Sequence, residues 1–191
     1  MSELKDSGST REFNTGSHRD NSTGKGRCDL LPAQEVLNVF ELMFEEKLPL
    51  MTKQRLLLSA FWEIINYMKE YNDNNIKSIL KACYLSIIAD GLFEDESTGD
   101  VTEKTFDGYF AYGLMQVSKH YEQGALKYGE NNWRKGMPLH VYLDCAVRHL
   151  LKSIAGMNDE PHIRAVCWNL LCFLWTKENR PELNDLKGEW L

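Results

Sequence analysis

The chain opens on a polar stretch and then becomes periodic. From about residue 33 onward, apolar side chains recur at three- and four-residue spacing, the mark of amphipathic helices. Pro32 suits a first helical turn. Val36, Leu37, Val39, Phe40, Met43 and Phe44 follow it, and Pro49 ends the segment. A second helix is predicted from about Lys53 to Glu70, with Leu57, Leu58, Phe61, Ile64, Ile65 and Met68 as its buried stripe. The Asn-Asp-Asn-Asn run at 72–75 breaks it. A third helix spans about Ile76 to Ala89, with Gly91 as its stop. Residues 93–104 (FEDESTGDVTEK) lack calcium-loop spacing and read as a solvated connector. A fourth helix runs from Phe106 or Phe110 to Tyr128, and glycines at 129 and 136 bracket a break. Pro138 opens a fifth, Leu139 to Ala155, closed by Gly156, and Pro161 opens a sixth that reaches about Lys177. The tail is polar until Trp190, and no strand ladder is expected. The fold class is all-α: one domain over residues 1–191, a bundle of about six helices.

Composition adds little until residues 1–28, which are rich in Ser, Gly, Thr, Asn and charge. They read either as a disordered tail or as a loop whose Arg11, Arg19, Lys25 and Arg27, set among glycines, grip phosphate. The whole chain carries 22 basic and 28 acidic side chains, a net charge of -6. That disfavours a duplex nucleic-acid surface, which needs a basic face. No run is long and apolar enough for a membrane span, and the first residues lack a signal-peptide core, so a cytoplasmic location is expected. Five cysteines without a C-x-x-C pair point to reduced thiols.

Chemistry concentrates in the last helices. Asp144 and Arg148 share one side of the fifth helix, with His149 beside them; an exposed ion pair would look the same. Asp159-Glu160-Pro161-His162 stands at the entrance of the sixth helix, where acidic groups would also complement the helix dipole. Asn169, two turns after His162, lies in a strongly apolar run and needs partners there. Facing helices that join Asp144 and Arg148 to His162 and Asn169 would make a polar strip inside the bundle. Glu122 and Lys127 come from the fourth helix. Asn132, Trp133 and Lys135 follow, where the indole stacks a base or merely covers the core edge.

Several of these segments resemble one family. Arg11 to Pro32 (REFNTGSHRDNSTGKGRCDLLP), Tyr121 to Leu139 with its GA-x-KYG-x-x-NW-x-KG pattern, Tyr142 to Lys152 and Asp159 to Leu174 are similar, in order, to the dATP/dGTP diphosphohydrolase N-terminal-domain family of phages and bacteria, whose members are often described as MazG-like. The resemblance implies a pyrophosphohydrolase that cuts a purine deoxynucleoside triphosphate, or a related nucleotide, to monophosphate and pyrophosphate. It implies Mg²⁺, a homo-oligomer, a bacterial or phage-infected cytoplasm and an ordered N-terminal loop near the site. Typical relatives lack the stretch from about Lys47 to Val117, which reads as an insertion peripheral to chemistry. The usual E-x-x-E and E-x-x-D metal motifs are missing in that form, and Glu122, Asp144, Asp159 and Glu160 stand in as metal ligands. Asp144, Arg148, Glu122 and Lys127 are the expected catalytic set. Arg11, Arg19, Lys25, Arg27, Asn132, Trp133, Lys135, His149, His162 and Asn169 are the expected substrate contacts. Two rivals remain: a nucleotide-binding protein without turnover, and a helical protein-interaction module.

Overall fold

The structure is a computed structural model, and it describes residues 10–20, 23–46, 51–69, 71, 75–92 and 106–186. Pro49, the acidic connector 93–104 and Trp190 lie outside the described residues. Among those described are six α-helices: α1 (Ala33–Glu45), α2 (Lys53–Lys69), α3 (Ile76–Gly91), α4 (Phe106–Tyr128), α5 (Leu139–Ile154) and α6 (His162–Asn179). The all-α bundle read from the apolar spacing is what forms. A small antiparallel hairpin, β1 (Thr10–Glu12) and β2 (His18–Asp20), was not expected; it pairs Arg11 with Arg19. Each strand has three residues and β1 is exposed, so no apolar alternation announces them. The turn is held by the Phe13 amide on the Ser17 carbonyl at 2.9 Å, with Gly16 at φ 80°.

α3 and α6 form the centre. Every residue from Ala82 to Ala89 is buried, as is most of α6 from Ala165 to Leu174. Helices apolar around most of their circumference must be covered on several sides. α3 packs against α1, α2, α4 and α6, and α6 against α5 and α4 as well. Gly91 is not the stop expected of it: it belongs to α3, and Leu92 in extended conformation ends the helix. A Cβ at Gly91 would strike the Tyr109 carbonyl, and one at Gly113 the Ile87 carbonyl. The two glycines therefore let α3 and α4 approach backbone to backbone. No helix among the described residues is long and apolar enough to cross a membrane.

Candidate functional site

The corner between α5 and α6 is built by local rules. Gly156 takes φ 73° after α5. Its amide donates to the Ser153 carbonyl at 3.1 Å, and the Met157 amide to the Lys152 carbonyl at 3.0 Å. This pair of bonds is a Schellman closure, which needs a residue that tolerates the left-handed region. Pro161 then starts α6, and the chain returns against α5. The turn brings Asp159 and Glu160 over the two histidines that flank it.

Asp159 accepts from Lys152 Nζ at 3.0 Å and from His162 Nε2 at 2.8 Å. Those two hydrogen bonds, Lys152 first, hold its carboxyl down at about 2. The other ring nitrogen of His162, Nδ1, lies 3.2 Å from His149 Nδ1 and 3.4 Å from Glu160 Oε1. His149 Nδ1 is 3.3 Å from the same Glu160 oxygen. The His162 side chain is 2% exposed and that of Glu160 44%, so the group runs from the core to the surface. Burial lowers the pKa of His149, and Glu160 opposes that shift. Among the described residues, His149, Glu160 and His162 are the one group of three or more His, Cys, Asp or Glu whose ligand atoms all lie within 4.8 Å of one another.

Beside this group opens a cleft of about 670 Å³. Lys53 and Gln54 of α2, Asp90 of α3, and Glu160, His162 and Arg164 are among its walls. Its volume is that of a small-molecule site. Arg164 Nε stands 3.5 Å from Asp90 Oδ2, and neither atom makes a hydrogen bond although both are buried. Burial raises Asp90 to about 6, against the pull of Arg164 and Lys53. Lys53, Asp90 and Arg164 were missed in the sequence. The helices of the 47–117 stretch, expected to stand apart from the site, supply two of them.

The remaining expected residues lie elsewhere. Glu122 is buried, and its two oxygens accept the Gly24 and Gly26 amides, each at 2.9 Å. It pins the N-terminal loop to α4, so that loop sits on α4 rather than against α5 and α6 as expected. Arg27 is held by Asp29 and Glu130 at 2.7 and 2.8 Å. Arg11 lies over the Phe13 ring, and Arg19 and Lys25 are exposed. Asp144 makes an exposed pair with Arg148 at 2.9 Å, one helical turn apart. Lys127 is exposed over the Tyr128 ring, and Lys135 is exposed with its carbonyl accepting from Arg180. Trp133 is only 8% exposed, edge-on to Tyr121 and Trp175, and so covers the core rather than offering a stacking face. With Asn132 and Tyr128 it lines a small pocket of about 30 Å³. Asn169 satisfies its amide within α6, donating to the Ala165 carbonyl at 2.8 Å.

These positions do not fit a magnesium cage of Glu122, Asp144, Asp159 and Glu160. Mg²⁺ requires several oxygens converging on one point. The Glu122 oxygens are taken by backbone amides and Asp144 by Arg148, and the one converging group among the described residues contains two imidazoles.

Residues 95–186 match the dATP/dGTP diphosphohydrolase, N-terminal, family. Within the matched stretch fall α4, α5, α6, the histidine–carboxylate group and Arg164; Lys53, Asp90 and the N-terminal loop precede it. No curated protein and no solved structure matches the chain.

Proposed function

We propose that the chain is a nucleotide diphosphohydrolase acting on a purine deoxynucleoside triphosphate, yielding monophosphate and pyrophosphate, at the cleft between α2, α3 and the α5–α6 corner. The observation that carries the location is the Asp90–Arg164 pair in the cleft wall. The Arg164 guanidinium is partly exposed in that wall, where it can meet a phosphate oxygen. Lys53 adds a second cation to the same wall. Asp90, at about 6, is suited to accept and release a proton near neutrality. The family match supports the reaction class.

Mg²⁺ is a variable of the experiment, since the described carboxylates are not gathered for it. The full chain is incubated with a panel of ribo- and deoxynucleoside triphosphates, with and without Mg²⁺, and phosphorus NMR reads the products. Deoxypurine monophosphate and pyrophosphate, lost in Arg164→Ala, are expected. Intact nucleotides throughout would refute hydrolysis.

Among the described residues the carboxylates form no oxygen cage, which favours a second reading, nucleotide binding without turnover at the same cleft. Tight binding with no product would select it. Exposed apolar residues favour self-association as well: Leu37, Phe40 and Phe44 on α1, and Leu58 and Trp62 on α2. A homo-oligomer seen by light scattering, lost in Phe44→Ser with Trp62→Ser, is the expectation there.

A further inference from the structure

The triangle of His149 Nδ1, His162 Nδ1 and Glu160 Oε1 has sides of 3.2, 3.3 and 3.4 Å. A tetrahedral ion bound by nitrogen and oxygen at about 2.0–2.1 Å separates its ligands by about 3.3–3.4 Å. An octahedral ion at the same bond length, such as Mg²⁺, needs neighbouring ligands about 2.9 Å apart. The sides match one face of the tetrahedron.

The lone pairs agree with the distances. A carboxylate oxygen of Asp159 lies 2.8 Å from His162 Nε2 and accepts its N–H. Nδ1 of His162 then presents a lone pair to the triangle. Glu160 Oε1 presents another, with Lys152 Nζ 3.8 Å from the same oxygen. A divalent cation at the centre of the triangle satisfies all three of its atoms. Asp159 stands where an outer carboxylate orients a ligating imidazole, and Lys152 holds that carboxylate from behind. His120 of α4 lies near His149 and Glu160, and its buried Nδ1 has no hydrogen-bond partner.

We propose that His149, Glu160 and His162 bind a zinc-class divalent ion, oriented by Asp159. Two imidazoles and one carboxylate suit zinc and its neighbours rather than magnesium. Three protein ligands leave a fourth position for water or a ligand oxygen. Glu160 and His162 also line the large cleft.

The test is metal binding by the full chain, read without nucleotide, so it holds or fails separately from the hydrolase reading. Metal-stripped protein is titrated with Zn²⁺ by calorimetry and with Co²⁺ by visible absorption. One ion per chain is expected, with the strong visible bands of four-coordinate cobalt. His149→Ala and Glu160→Gln should each weaken Zn²⁺ by at least about tenfold, and Asp159→Asn by about 10- to 100-fold. Excess Mg²⁺ should not displace the ion. Glu160 is the most exposed ligand, so its variant remains informative if His149→Ala does not fold. No saturable binding would overturn the proposal. So would wild-type affinity in Glu160→Gln, which would place the ion on other groups such as Cys28 or Cys145.

Discussion

Replacing Glu122 by Gln separates a structural carboxylate from a metal ligand. Both Glu122 oxygens accept backbone amides, from Gly24 and Gly26, at 2.9 Å in a buried setting. Hydrogen bonds to a charged group contribute about 1.5–3 kcal/mol each. Gln keeps one acceptor, loses the charge from both bonds and sets an NH₂ against an amide N–H. The loop should therefore lose about 2–3 kcal/mol of anchoring. At 1.4 kcal/mol per tenfold, its open population rises about 30- to 150-fold. Trypsin cleavage after Lys25 or Arg27 reads that population directly when reclosing outpaces cleavage. Faster cleavage by that order is expected, with the bundle intact by circular dichroism. Unchanged cleavage, together with lost metal binding, would refute the anchoring role and restore Glu122 as a ligand.

The Asp144–Arg148 pair is exposed, so Asp144→Asn should change unfolding free energy by less than about 1 kcal/mol and leave turnover intact; calorimetry and product assays check both. Gly91→Ala or Gly113→Ala forces a Cβ into a facing carbonyl and should cost about 1–3 kcal/mol or more in urea denaturation. Burial raises Asp90 from 3.8 to about 6, so the folded state holds its proton more tightly than the unfolded chain. Its contribution to stability is present below about pH 4 and declines as pH rises toward 6, following proton linkage. Asp90→Asn should remove that decline, and the stability difference between variant and wild type, followed from pH 4 to 7, should shift in favour of the variant. A difference independent of pH would contradict the burial argument.

The helices were legible because each carries its own apolar period and its own proline or glycine punctuation. Gly156 closes α5 as read, and Pro161 opens α6. The corner cluster was partly legible for the same reason: Asp159, Glu160 and His162 are neighbours in the chain, and His149 is 13 residues from His162. Glu122 was misjudged because a lone carboxylate on an apolar helix signals a buried partner without naming it. Its partners lie 96 and 98 residues upstream, in a loop that composition alone could not order. Lys53, Asp90 and Arg164 come from three helices and carry no local motif. Only the packing of α2, α3 and α6 makes them a wall. Gly91 shows a related ambiguity, since a glycine at a helix end serves equally as a stop or as a close-contact residue, and only the position of α4 decides.

Photo-crosslinking tests most directly whether a nucleotide occupies the cleft between α2, α3 and the α5–α6 corner. The full chain is irradiated with an azido-purine deoxynucleoside triphosphate, and the labelled peptides are mapped by mass spectrometry. Adducts within 153–164 and 53–57, suppressed by excess unlabelled nucleotide and weakened in Arg164→Ala, are the predicted result. Adducts confined to 121–135, on the α4 end and the Trp133 turn, would contradict it.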